Sequence, residues 1–313
     1  MATESILVVL TSGLERLVPA LGALAALRAS HAGAEMIILA ATEYAEFLRT
    51  SPYANEVWED DTVGSHNFRR WRSLRARLRS REWARVYDLD ANRHSTHLFW
   101  LLYGRRGLSP ARSCLAWSGI IPGTFLAWTN PHREQMHVRD QWADQLRQAG
   151  IPVVPATDLS WVARRVAAFN VPFRMNEPYL LVAVEPGPNG PWPRLGEFAR
   201  LAAAEDRVLV AVGLTPPEDF DALKASCPGL VDLVGKATLN ELVFLAWAAA
   251  GAVGADNGLM HLAAGAGCRS VVLYDASSDP ALVGQRGSRV TILRRPHLGG
   301  IPATEVLAAL KRL

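Results

Sequence analysis

Short, apolar, β-branched runs recur along this chain, and most are followed by a stretch in which Ala and Leu return at helical spacing. Residues 6–10, 34–40, 56–58 and 85–89 form a first series, with helical stretches over 19–28 and 43–50 and through 99–103. Such runs are too short to be helices, and most lack the polar alternation of a half-exposed strand. They predict strands buried on both faces, hence a parallel sheet covered by helices on each side.

A second series follows at residues 179–184, 207–212, 231–234, 251–254 and 270–274, again with helices between most of the runs. Between the two series, Val171-Pro172 and Glu177-Pro178 bracket a polar segment within 158–178, which reads as a linker. A chain of 313 residues suits two domains of about 150 residues each. The expected organisation is a Rossmann-like domain over 1–165, a second over 175–300 and a terminal helix within 301–313 that packs back on the first domain, with Thr304 as its cap. The predicted fold class is α/β, with two doubly wound domains facing across a cleft and ligands at the carboxyl ends of the strands.

Half the residues are apolar and a fifth charged, so each half can bury a core. Cys114, Cys227 and Cys268 are widely spaced and form no C-x-x-C pair, which argues against a disulfide framework or a structural zinc and fits a reducing cytoplasm. Neither a leader peptide nor a membrane span is expected, because no basic stretch precedes the short run at 6–10.

Net charge is only +3, so local patches decide the question of partners. From Phe68 to Arg85 there are eight arginines, with Phe68, Trp71, Leu74 and Leu78 at helical spacing. This basic amphipathic helix reads either as a solvated face over a core stripe or as an attraction for an anionic glycolipid or the inner leaflet. A cytoplasmic protein, peripheral at the inner membrane, is the corresponding expectation. No nucleic-acid recognition motif accompanies the charge, and no nucleic-acid partner is expected.

Chemistry concentrates in the segment from Gly254 to Ala264, GADNGLMHLAA. An apolar strand ends there in a polar, glycine-containing turn and a helix begins at once. Free N–H groups and the positive helix end would bind a diphosphate. Read alone, the segment is equally compatible with Asp256 and Asn257 as caps and His261 as a core histidine.

The surroundings resemble glycosyltransferase family 9, the bacterial heptosyltransferases. Residues 254–264 are similar to that family's D-[TS]-G-x-x-H-L-A-A, and 272–287 to the aromatic-rich strand and T-D-P that follow. Residues 234–242 resemble G-K-[TS]-S-L-x-E-L, residues 19–28 the first helix, and 88–95 the stretch D-L-Q-G-N-x-x-S. The resemblance implies a GT-B fold and inverting, metal-independent transfer of a heptose-like sugar from a nucleotide-diphosphate donor, expected to be ADP-linked. The acceptor would be lipopolysaccharide core or another glycan, and no cofactor is implied.

By the same resemblance Asp256, Asn257, Gly258 and His261 would line the donor diphosphate and sugar, while Lys236 and Asn240 or Glu241 would approach the nucleoside. Pro186, Gly187 and Arg194 belong to a segment similar to the phosphate loop P-G-x…K-x-W-P. Arg16, Arg69, Arg70, Arg72, Asn92 and His94 are the residues expected to meet an anionic acceptor.

Three departures bear on activity. The family carries G-D-[VI] after its first strand, with the Asp as base, whereas residues 11–17 here read TSGLERL and place Arg16 at that point. Glu15, one residue away, is the candidate base, and equally reads as a solvated loop glutamate. Gly190 stands where the phosphate-loop Lys belongs, with Arg194 as a substitute cation, and Asn257 replaces Thr or Ser.

Asp88-Leu-Asp90 matches a D-x-D metal pattern of another glycosyltransferase fold, but it ends a strand in a domain of the wrong type, and no metal is expected. His94, His97, His132 and His137 lack zinc spacing and read as acceptor-pocket contacts or ordinary polar residues. The alternative function is a catalytically impaired nucleotide-sugar-binding paralogue acting as a partner or regulatory protein. A nicotinamide-dependent oxidoreductase would need G-x-G-x-x-G after the first strand, where this chain has LTSGLE at 10–15.

Overall fold

The computed structural model describes residues 4–109, 113–163, 171–175, 177–185, 191–227 and 229–313. The chain divides into two compact units, Met1–Thr157 and Asp158–Leu313. The division falls at the start of the polar segment read as a linker.

The first unit runs β1 (Ser5–Leu10), α1 (Leu14–Ser30), β2 (Glu35–Ala41), α2 (Thr42–Arg49), β3 (Glu56–Asp60), α3 (Phe68–Leu78), β4 (Arg85–Asp88), α4 (Arg93–Tyr103), β5 (Trp117–Ser118) and α5 (Val138–Gln148). Among the described residues its strands form one sheet in the order β3-β2-β1-β4-β5, parallel throughout. Ile6 to Leu10 and Met36 to Ala40 are inaccessible or nearly so, as strands covered on both faces must be.

Helix α1 begins five residues before the stretch read from sequence. Pro19, which looks like a first-turn proline, lies inside the helix and leaves the Glu15 carbonyl without its usual donor. Helix α3 ends at Leu78, short of the full arginine run, with Leu74 and Leu78 buried.

The second unit continues with α6 (Ser160–Ala163), β6 (Tyr179–Ala183), α7 (Leu195–Ala203), β7 (Val208–Val212), α8 (Phe220–Ser226), β8 (Val231–Asp232), α9 (Leu239–Ala248), β9 (Gly251–Ala255), α10 (Gly258–Gly265), β10 (Ser270–Tyr274), α11 (Pro280–Val283), β11 (Val290–Arg294) and α12 (Ala303–Arg312). Its sheet has the order β11-β10-β9-β6-β7-β8, also parallel. Gly254 is required here by close approach: a Cβ would stand 2.7 Å from the Ala183 Cβ and 2.9 Å from the Met260 sulfur.

Helix α12 lies in the second unit. It packs against α7, β10 and β11, and Ala303, Val306, Leu307, Ala309 and Leu310 belong to the core of the second unit. Its apolar stripe is consumed there. Thr304 lies inside the first turn, and Pro302 holds the cap position.

Each sheet reverses its winding once. In the first, the chain moves outward from β1 to β3 and then returns to the other side of β1 with β4; in the second, β9 returns beside β6. Such switch points leave a crevice outside the strand ends where α/β sheets place ligands.

Candidate functional site

In the second unit the loops after β6 and β9 flank the switch point. Asn257 is extended and caps α10, its Oδ1 accepting from the Met260 N–H at 3.0 Å. Gly258 and Leu259 occupy the first turn, where N–H groups have no intrahelical acceptor. The Asn257 Nδ2 is buried without a partner among the described residues. Donors and the positive helix end thus converge at this corner, while His261, one turn on, is buried.

The carboxylate of Asp256 is held by donors from β10 and the residues that follow it. Its Oδ1 accepts from the Tyr274 hydroxyl (2.8 Å) and the Gln285 Nε2 (3.1 Å), and its Oδ2 from the Ser278 hydroxyl (2.7 Å). The single Tyr274 proton lies between Asp256 and the Gln285 Oε1, 2.9 Å away. Burial and the nearby Asp256 raise the pKa of Tyr274, so it remains a neutral donor. Asp256 therefore ties the end of β9 to β10 and the following loop, fixing the turn that presents α10.

The residues expected near a nucleoside lie in the loop after β8 and on the first turn of α9. The Lys236 ammonium donates to the Asp232 Oδ2 (2.7 Å) and carbonyl (3.1 Å). Glu241 accepts from the Thr238 N–H (2.7 Å) and hydroxyl (2.8 Å), closing a reciprocal cap on α9. Asn240 stands beside it on the same first turn.

Arg194 precedes α7. Its Nε donates to the Gly299 carbonyl (2.7 Å) and it pairs with Glu197 at 3.1 Å. Its neighbour Pro193 and its partner Gly299 line a cavity together with Asp275, Ser277 and His297. Pro186, Gly187 and Gly190 lie outside the described residues. Just before them Glu185 accepts the backbone N–H of Leu214; burial raises its pKa, against the N–H bonds from Leu214 and Thr215.

The switch point of the first unit is built from charged groups. Asp90 binds the end of β1 to that of β4, its Oδ2 accepting from the Thr11 N–H (2.6 Å) and hydroxyl (2.7 Å) and its Oδ1 from the Ser12 N–H (3.2 Å). Asp88 is fully buried. One of its oxygens accepts from the Ala91 N–H at 2.8 Å and the other has no partner among the described residues. Burial pushes its pKa up to about 7, against the Ala91 hydrogen bond.

Ala91 has φ +49°, a conformation that costs a non-glycine residue about 1 kcal/mol or more. Asp88 on one side and Asn92 on the other hold it there. Asn92 accepts from the Ser95 N–H (2.9 Å), and the Ser95 hydroxyl accepts from the Asn92 N–H (3.0 Å). His94 is carried on this clamped turn.

Arg16, expected to meet an anionic acceptor, is half-buried. Its guanidinium donates to the Leu89 carbonyl (3.2 Å) and lies 5.3 Å from the centre of the Trp142 ring. Burial lowers its pKa, while Asp90, Glu15 and Asp88 oppose that change. The position where the family places its base therefore holds a cation packed into the fold. Glu15 is exposed on the first turn of α1, its carboxylate folded against Gly13.

The His94 Nε2 lies 2.7 Å from the Asp60 Oδ2. Asp60 also accepts at Oδ1 from the Thr62 N–H (2.9 Å) and hydroxyl (2.5 Å). Burial acts to raise the pKa of Asp60, but the bonds from His94 and Thr62 outweigh it and hold the carboxyl below its ordinary range. Sequence reading missed Asp60, Tyr274, Ser278 and Gln285 as site-forming residues; only Tyr274 had a signal, in the aromatic-rich strand.

On α3, Arg70 pairs with Asp61 at 3.6 Å, whereas Arg69 and Arg72 are exposed. His137 caps α5, His97 lies 6.2 Å from the Trp71 ring and His132 is exposed. Among the described residues no three His, Cys, Asp or Glu side chains are grouped to hold a metal ion. No described helix is long and apolar enough to cross a membrane.

No curated protein matches the chain in sequence. Similar folds occur among solved structures. A glycosyl transferase family 9 protein from Veillonella parvula shares 16% identity with a TM-score of 0.79, over 99% of this chain and 96% of its own. E. coli ADP-heptose lps heptosyltransferase II shares 20% identity with a TM-score of 0.73, over 98% of each chain. E. coli heptosyltransferase WaaC with ADP shares 16% identity with a TM-score of 0.75, over 98% of this chain and 99% of its own. These likenesses give both units the GT-B fold. Residues 193–311 match the model of Glycosyltransferase family 9 (heptosyltransferase); the second unit of this chain carries a family 9 glycosyltransferase domain.

Proposed function

We propose that this chain is a glycosyltransferase that moves a heptose-like sugar, with inversion, from an ADP-linked donor to lipopolysaccharide core or another glycan. The observation that carries the reading is the β9-to-α10 corner. There the family sequence pattern coincides with first-turn N–H groups and an unpartnered Asn257 amide. A departing diphosphate needs such preorganised donors, which are worth several kcal/mol when aimed at developing charge. The ADP-bound heptosyltransferase among the similar structures supports the nucleotide choice.

In this reading Gly258 and Asn257 meet the diphosphate, and Asp256 acts by holding the turn. Lys236, Asn240 and Glu241 border the nucleoside, while Arg194 with Pro186 and Gly187 border the phosphates. No metal enters the reaction, because the helix end and N–H groups serve the leaving group. Arg69 and Arg72 on α3 attract an anionic acceptor or inner-leaflet surface from the cytoplasmic side.

Calorimetric titration with ADP, GDP and UDP, followed by release of ADP from ADP-heptose, tests the proposal. Selective ADP binding with turnover is expected. Failure of all three nucleotides to bind removes the donor site.

A further inference from the structure

We propose that the cavity between the loops after β10 and β11 is a sugar subsite, in which the Asp275 carboxylate accepts the hydroxyls of a pyranose ring; this rests on the transferase reading above and deepens it. The described residues that line the cavity all belong to the second unit. They stand at the carboxyl ends of two neighbouring strands, where α/β sheets place ligands. The volume is about 670 Å³, within the range of small-molecule sites.

Hydrogen bonds fix the walls. The Asp275 Oδ1 accepts from the Ser277 N–H (2.8 Å) and hydroxyl (2.6 Å). The Ala276 N–H donates to the Pro296 carbonyl (3.4 Å), joining the two loops, and the Arg194 Nε holds the Gly299 carbonyl. Asp275 is only 7% exposed, yet among the described residues its Oδ2 has no partner. A carboxylate so buried keeps an unused oxygen at a cost unless a donor reaches it from the cavity. The His297 ring lies over Gly299 and Gly300, where a Cβ would stand 3.5 Å from its Nδ1 and 3.3 Å from its Cε1. Its nitrogens likewise have no hydrogen-bond partner among the described residues.

These surroundings select a neutral polyol. The guanidinium groups on the flanking elements already face carboxylates, Arg194 with Glu197 at 3.1 Å, Arg294 with Asp279 at 3.4 Å and Arg295 with Glu305 at 2.9 Å, so they are not free for a phosphate. A single carboxylate is too small a ligand set for a metal ion. Pro193, Pro296 and the His297 ring offer apolar surface to the C–H face of a sugar, while Asp275 and the His297 nitrogens take its hydroxyls. The same loop reaches the α10 corner, because the Ser278 hydroxyl bonds the Asp256 Oδ2 at 2.7 Å. The sugar of the donor and a ring of a glycan acceptor share this chemistry.

Calorimetry on the parent, Asp275→Asn and His297→Ala, each as the full chain, compares ADP, ADP-heptose and lipopolysaccharide core oligosaccharide. Expected for Asp275→Asn is a loss of about tenfold or more in affinity for one of the two sugar ligands, with ADP affinity unchanged, and for His297→Ala a loss of about threefold. A loss confined to ADP-heptose identifies the donor's sugar as the occupant, and one confined to the oligosaccharide identifies the acceptor. Parental affinity for both in Asp275→Asn overturns the proposal.

The nuclear magnetic resonance signals of the His297 ring in the parent give a readout that needs no variant to fold. They should move on addition of ADP-heptose or of the oligosaccharide and stay in place with ADP alone; no movement with either sugar ligand overturns the proposal. If the parent binds no ADP, the transferase reading fails, and titration of the same signals with the oligosaccharide still decides whether the cavity takes a sugar.

Discussion

The two switch points are built from different materials. In the second unit the corner after β9 is a backbone device: an extended Asn257, a glycine at the first helical position, and one carboxylate fixed by neutral donors from Tyr274, Ser278 and Gln285. In the first unit the same place in the sheet gathers titratable groups, with Asp88, Asp90 and Arg16 packed together and the Asp60–His94 pair beside the clamped turn. Backbone donors bind an anion whatever the pH, whereas moving a proton requires groups that change charge. The corner of the second unit is thus a backbone device and that of the first a titratable one.

The strongest way to test that contrast is the buried carboxyl of Asp88. Its pKa is raised by burial to about 7 from an ordinary 3.8, so the folded state holds a proton that the unfolded chain releases. Stability from this group is fully present below about pH 4 and is lost as pH rises towards about 7. The gap converts to about 4 kcal/mol. Urea unfolding should show the advantage of Asp88→Asn over the parent growing by that amount between pH 4 and pH 8. A difference independent of pH would mean that the first unit is not built around a titratable interior.

Asp256→Ala attacks the opposite side of the comparison. It removes the acceptor of three hydrogen bonds, at roughly 1 kcal/mol per bond, and leaves the Tyr274 hydroxyl only the Gln285 Oε1 to donate to. A stability loss of about 3 kcal/mol is expected with little pH dependence from 5 to 8, accompanied by weaker ADP binding. Unchanged affinity in the folded variant would detach this turn from the donor site. Gly119→Ala follows in size. A Cβ there would stand 2.7 Å from the Trp117 indole nitrogen and 3.1 Å from the free oxygen of Asp88, and overpacking costs about 2 kcal/mol. Retained stability would show that the two partnerless atoms leave room to relax.

The same contrast explains what could be read from sequence. The second-unit corner was legible because backbone approach restricts residue types locally. Gly254 has no room for a Cβ, Asn257 must cap, and both leave a contiguous mark. The strands were legible for a related reason, since burial on both faces leaves uninterrupted apolar runs. Strand β11 escaped because its residues are only partly buried and end in an arginine. Asp60 and His94 are 34 residues apart and meet only because the chain returns across β1 after β3. No local pattern encodes that meeting. For Asp256 the sequence marks the turn but not the partners of its carboxylate, since Tyr274, Ser278 and Gln285 lie 18, 22 and 29 residues further on.

The smallest predicted effect lies on α3, where neither switch point is involved. Leu74 and Leu78 face the core while Phe68 is 75% exposed and Arg69 and Arg72 project into solvent, so the helix combines a packed stripe with a free basic edge. Near an anionic surface each arginine is worth about 1 kcal/mol, and the attraction falls off within a Debye length. Arg72→Gln should weaken sedimentation with phosphatidylglycerol vesicles about fivefold, leave ADP affinity untouched, and lose its effect in high salt. If the variant binds vesicles as the parent does, the arginine edge is only a solvated face. If ADP affinity falls with it, the separation between a charged first unit and a backbone-built donor corner fails at the helix where the two should be most independent.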